Sequence, residues 1–127
     1  MAKILITEDE KDLLELYAKA FQDEGFETIT AEDGKEGLAR ALEAHPDLIL
    51  IDIQMPKMNG IEMLRKLRED PWGKLVPAVM LTNLGGTREI SDSMNLKISR
   101  YIIKAETNPI GIVDEVKNIL SGRNQVT

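Results

Sequence analysis

Three acids, a hydroxyl and an ammonium stand out in this sequence because each closes a short apolar run. Ile4-Leu5-Ile6 leads through Thr7 to Glu8 and Asp9, and Leu48-Ile49-Leu50-Ile51 ends at Asp52. Ala78-Val79-Met80-Leu81 finishes at Thr82, and Tyr101-Ile102-Ile103 finishes at Lys104. If these runs are parallel strands of one sheet, their carboxyl ends meet at one edge and the five side chains share a cleft. Carboxylates crowded there repel, and one takes up a proton unless a cation intervenes. A hard divalent ion answers that need. Mg2+ suits a site of one or two carboxylates completed by waters and a phosphate. Lys104 then offers a point charge and Thr82 a hydroxyl donor to a phosphoryl oxygen. Asp52 is left as a nucleophile able to form an acyl phosphate. Each residue alone has a plainer reading: Asp52 as a carboxylate that opens a turn, Asp9 as a helix N-cap with Asp12 three residues on, Lys104 as a solvated lysine.

For the cleft to exist, helices must separate the strands. The stretch from Asp47 to Gly60 is the centre of that arrangement. Its unbroken apolar run predicts a strand buried on both faces, with Asp52 partly exposed at its end and Pro56, Asn59 and Gly60 marking a loop. A first helix is expected over Glu10 to Glu24, with Leu13, Leu16, Tyr17, Ala20 and Phe21 on its buried face and Gly25 as its stop. Phe26 to Thr30 reads as an edge strand. A second helix runs from Lys35 to Ala44 through Leu38, Ala41 and Leu42, closed by His45-Pro46, with His45 facing solvent. Ile61, Leu64 and Leu67 mark a third helix, and Trp72 packs in the loop after it. A weak fourth helix follows Gly85-Gly86-Thr87 with little more than Ile90 and Met94 on its apolar face. Asn108-Pro109 caps a last helix through Ile112, Val113, Val116, Ile119 and Leu120. The order βαβαβαβαβα with short connections predicts an α/β domain with an all-parallel sheet and helices on both faces. That domain is expected over residues 1–121, with a polar tail over residues 122–127.

Composition narrows the chemistry. At 127 residues, with 43% apolar and 30% charged residues, the chain can bury a core without staples. The absence of cysteine excludes thiol catalysis and cysteine-ligated metals and permits a cytoplasmic setting. The single histidine, His45, excludes any site needing two imidazoles. A net charge of −6 argues against direct nucleic-acid binding, and no apolar stretch is long enough to span a membrane.

The ordered set resembles the receiver domain of two-component response regulators over essentially the whole chain. The acidic pair Glu8-Asp9, Asp52 with Met55-Pro56 and Gly60 behind it, Thr82, and Tyr101 three residues before Lys104 all match in order and spacing. The resemblance implies a doubly wound, flavodoxin-like fold of five strands in the order 2-1-3-4-5 with five helices. It implies a signalling phosphoacceptor rather than an enzyme, one that at most catalyses its own phosphorylation and dephosphorylation. Asp52 would take a phosphoryl group from a sensor histidine kinase or phosphotransfer protein. Asp9, Asp52 and the backbone carbonyl of Gln54 would bind Mg2+, with Glu8 reaching it directly or through water. Thr82 and Lys104 would stabilise the phosphoryl group, and Thr82 and Tyr101 would form the switch. The fourth helix, fifth strand and last helix would be read by a downstream protein, the chain acting as a monomer or a phosphorylation-dependent dimer. With no second domain behind it, the output would pass through another protein, or the sequence is a piece of a longer one.

The chain also departs from that pattern. Glu8 is one methylene longer than the commoner aspartate, Asn83 replaces a small residue, Lys97-Ile98 replaces Gly-Ala, and Ala105 replaces the proline after Lys104. A cis bond before a non-proline residue costs roughly 2.5–4 kcal/mol, so the Lys104–Ala105 bond is expected to be trans. Two other functions compete. One is an interaction module that works without phosphorylation, which the intact set of Asp9, Asp52, Thr82 and Lys104 argues against. The other is an aspartyl-phosphate phosphatase, but Gln54 stands where its general acid would be. No Gly-rich phosphate loop follows the first strand, which speaks against nucleotide binding.

Overall fold

β-branched and aliphatic residues make five strands, and in the computed structural model these are β1 (Lys3–Thr7), β2 (Glu27–Ala31), β3 (Leu48–Asp52), β4 (Ala78–Thr82) and β5 (Arg100–Ile103). The structure describes residues 2–83 and 96–122. All neighbours pair in parallel, in the order β2-β1-β3-β4-β5. Four helices are described: α1 (Lys11–Asp23), α2 (Gly34–Ala44), α3 (Gly60–Leu67) and α4 (Pro109–Leu120). The further helix expected through Ile90 and Met94 lies outside the described residues.

Side chains alternate across the sheet, so each strand feeds two cores. Ile4, Ile6, Leu48, Leu50, Val79, Leu81 and Ile102 pack with residues of α1 and α4 on one face. Leu5, Ile49, Ile51, Ala78 and Met80 pack with residues of α2 and α3 on the other. Every residue of β3 and β4 is buried, as the unbroken apolar runs predict.

The helix faces follow the sequence expectations except at Leu16 and Leu42. In α1 the buried stripe is Leu14, Tyr17, Ala18 and Phe21, while Leu16 is 55% exposed. Tyr17 and Phe21 are buried and Leu13 and Ala20 pack against the same core, as expected, so only Leu16 turns outward and Leu14 takes its place. Leu42 of α2 is likewise exposed, and Gly34, Gly37 and Ala41 form the contact face because that helix lies close to its neighbours. Asp9 does not cap α1. Glu10 holds the cap position without a side-chain bond, and its N–H donates to Glu8 Oε2 at 3.1 Å.

Helix ends otherwise follow local chemistry. Gly25 takes φ +90 after α1, and Asn108 Oδ1 accepts the Gly111 N–H at 2.8 Å with Pro109 in the first turn of α4. His45 is exposed at the end of α2 in a left-handed conformation, and its ring stacks on Trp72 at 4.3 Å. Trp72 in turn packs against the second core, as a loop anchor. Among the described residues no helix is long and apolar enough to cross a membrane.

Candidate functional site

Strand register decides which side chains meet. Thr7 is level with Ile51, so Glu8, one residue on, falls level with Asp52. Asp52 is level with Leu81 and Thr82 with Ile103, which places Lys104 one step beyond. The carboxyl ends of β1, β3, β4 and β5 thus bring Glu8, Asp9, Asp52, Thr82 and Lys104 to one edge.

The centre is an ion triad. Lys104 Nζ donates to Glu8 Oε1 and to Asp52 Oδ2, each at 2.6 Å. Glu8 is 1% and Asp52 3% exposed, so the expectation of a partly exposed Asp52 is corrected. Pairing with an ammonium makes full burial tolerable, because the charge keeps a partner out of water. The other oxygens are also held: Asp52 Oδ1 accepts the Gln54 N–H at 3.1 Å, and Glu8 Oε2 the Glu10 N–H. Burial pushes the Glu8 carboxyl up to about 7, against the pull of its Lys104 hydrogen bond and with a further push from Asp52. Burial would lower the Lys104 ammonium, but its bonds to Asp52 and Glu8 outweigh that and raise it.

Asp9 stands exposed beside this pair. Glu8, Asp9 and Asp52 each present an oxygen within 4.8 Å of the others, a donor set for a hard cation. With all three acids ionised, three carboxylates against one ammonium leave two negative charges, which one divalent ion balances. Thr82 is buried at the end of β4, and Tyr101 is half-buried on β5, level with Met80 and packed against the second core.

The loop beyond β3 is built for close approach. Gly60 opens α3 directly beneath β3, where a Cβ would lie 2.3 Å from the Asp52 carbonyl oxygen. Asn59 caps the same helix through Glu62 N–H. Lys57 takes φ +68, and its ammonium lies 3.6 Å from Asp33 Oδ2, tying this loop to the start of α2. The Lys104–Ala105 bond is trans, as expected, and Lys104–Glu106 form a short 3-10 turn leading to α4.

Sequence reasoning expected the five side chains at one edge, where they do meet, but missed two features. It assigned Glu8 to a metal and Lys104 to a phosphoryl group without pairing them to each other. It took Gly60 as a loop marker, not as the residue that lets α3 touch β3. The glycine immediately after a capping asparagine was the available signal.

A family model described as the response regulator receiver domain matches residues 4–117. Among curated proteins, the DNA-binding response regulator MtrA of Mycobacterium tuberculosis strain H37Rv is 36% identical over 102 residues, 80% of this chain. The chain spans less than half the length of that relative, the match covering 43% of it. A CheY-like response regulator receiver domain protein from Methanospirillum hungatei superposes with a TM-score of 0.89 at 27% identity, covering 98% of both chains. A CheX–CheY–BeF3–Mg complex from Borrelia burgdorferi matches with a TM-score of 0.83 at 26% identity, over 94% of this chain and 89% of that one.

Proposed function

Because this chain belongs to the family of response regulator receiver domains, we propose that Asp52 is its phosphoacceptor and that Mg2+ and Lys104 neutralise the site while the group is transferred. One observation carries the assignment: a buried carboxylate at a strand end, bonded at 2.6 Å to an ammonium and flanked by two further acids.

An oxygen of Asp52 attacks phosphorus of a phosphohistidine on a sensor kinase or phosphotransfer protein. The new P–O bond forms as the P–N bond breaks, and the departing imidazole keeps its electron pair and takes a proton. Gln54 N–H holds one Asp52 oxygen and Lys104 the other, which fixes the orientation of the nucleophile before the donor arrives. Asp9, Asp52, Glu8 and the backbone carbonyl of Gln54 would hold Mg2+. When bound, the ion supplies charge neutralisation for the phosphoryl oxygens. Lys104 and the Thr82 hydroxyl then bond phosphoryl oxygens from the β4–β5 side. Thr82 and Tyr101 transmit the change, because the two residues lie on adjacent strands. The face read by a downstream protein is β5 with α4 and the segment before β5. The CheX–CheY complex supports the general idea that receivers of this fold engage another protein. Residues 1–121 form the phosphoacceptor unit, followed by a polar tail over residues 122–127.

Incubation with a small phosphodonor and Mg2+, followed by intact mass, tests this. The wild-type chain should gain one phosphoryl group, and Asp52→Asn or chelation of Mg2+ should abolish the gain. Undiminished labelling of Asp52→Asn would sink the assignment.

A further inference from the structure

At the opposite edge of the sheet, Arg68 sits half-buried at the end of α3. Its guanidinium spends its donors on backbone carbonyls. Nη1 reaches Gly73 and Val76, each at 2.7 Å, Nε reaches Leu96 at 2.8 Å, and Nη2 reaches Lys97 at 3.1 Å. Among the described residues it has no carboxylate partner. The four carbonyls come from two loops, the one that enters β4 and the one that enters β5. Burial lowers its basicity, but arginine keeps its charge, so the fork does not release.

One of the gripped residues is strained. Lys97 has φ +58, the left-handed region that a residue with a Cβ enters at a cost. Leu96 and Ile98 on either side pack against the second core, and Ser99 N–H donates to the Ala78 carbonyl at 2.8 Å. β5 begins at the next residue, and Tyr101 and Lys104 follow within it and at its end. The position of this joint therefore sets where both residues start from.

We infer that Arg68 is a positioning residue of the phosphorylation switch: its grip on four loop carbonyls holds the strained Lys97 joint and so fixes the resting place of β5. The inference rests on Asp52 being the phosphoacceptor. Arg68 and Lys97 then act with opposite sign. Loosening the fork releases the joint toward the switched state. Removing the strain at Lys97 deepens the resting state, because nothing is gained by leaving it.

The test uses the full chain with beryllofluoride and Mg2+ as phosphoryl mimic, read by amide chemical shifts, with mass labelling by a small phosphodonor as control. Arg68→Lys keeps the charge but loses the fork. Its labelling should not fall below that of wild type, since the acceptor groups are untouched and the shifted equilibrium favours the phosphorylated state. Without mimic, its amides over residues 98–103 should already lie displaced toward the mimic-bound wild-type positions. Lys97→Gly should move the same amides the other way and require about fivefold more mimic for half-saturation. Should Arg68→Lys fail to fold, Lys97→Gly carries the test alone, because its grip is intact. Shifts confined to the surroundings of residue 68, or both variants moving in one direction, would overturn the inference while leaving the phosphoacceptor standing. A wild-type chain that neither labels nor responds to the mimic would overturn the phosphoacceptor, and this inference with it.

Discussion

Two partly buried cations hold the two edges of this sheet, and they are held in opposite ways. At the carboxyl edge, Lys104 sits between two buried carboxylates, with a third acid alongside. At the amino edge, Arg68 sits among neutral carbonyls. The first arrangement is under-neutralised, so its energy depends on protons, metal ions and any added phosphoryl group. The second uses dipoles that carry no titratable charge, so it answers to none of these. The first edge therefore responds directly to charge, and the second is held by contacts that charge does not alter.

The sharpest way to break the comparison is to remove each cation. Lys104→Ala strands two buried carboxylates, and in metal-free buffer at neutral pH it should cost about 4 kcal/mol in urea unfolding. Millimolar Mg2+ should recover part of that loss, since a cation can replace a cation. A loss unaffected by Mg2+ would show that Lys104 matters for packing and not for charge.

Proton linkage at the same edge comes next. The Glu8 carboxyl rises from its ordinary 4.5 to about 7 on folding, so between these pH values the folded chain binds a proton the unfolded chain has released. Its contribution to stability is therefore full below the lower value and lost as pH climbs through the upper one. The full span corresponds to about 3 kcal/mol in the metal-free protein. Glu8→Gln should remove that slope, read as the difference between the two proteins' unfolding free energies across the pH series. Parallel curves would contradict it.

The smallest effect belongs to the other edge. Arg68→Met preserves much of the volume but leaves four carbonyls to find water, at about 2 kcal/mol. Here neither Mg2+ nor pH between 5 and 8 should alter the loss. A Mg2+-dependent loss would mean that the two edges are not electrostatically separate.

Much of the molecule was legible because its strands are written in uninterrupted apolar runs and its chemistry stands at their ends. Leu48 to Asp52 and Ala78 to Thr82 appear where the residues put them, and β1, β3, β4 and β5 lead into the groups expected at the carboxyl edge. Gly25, Asn59 and Asn108 mark helix boundaries by local backbone chemistry, which needs no distant partner. The trans bond after Lys104 was equally local, a matter of alanine standing in place of proline.

What the sequence by itself determined is thus the order of elements, the two-sided burial of β3 and β4, and the set of groups at one edge. Tertiary structure decided the rest. The exact phase of α1 depended on docking, because Leu14 and Leu16 are equally apolar and the sheet buries Leu14 while leaving Leu16 outside. The partnership of Glu8 with Lys104 joins residues 96 apart, and only the parallel register brings them to 2.6 Å. Arg68 reads in sequence as one more cation at a helix end. Its role comes from four carbonyls on two loops that no local pattern announces, since a carbonyl is the same in every residue and only its position in space tells which one a guanidinium will find.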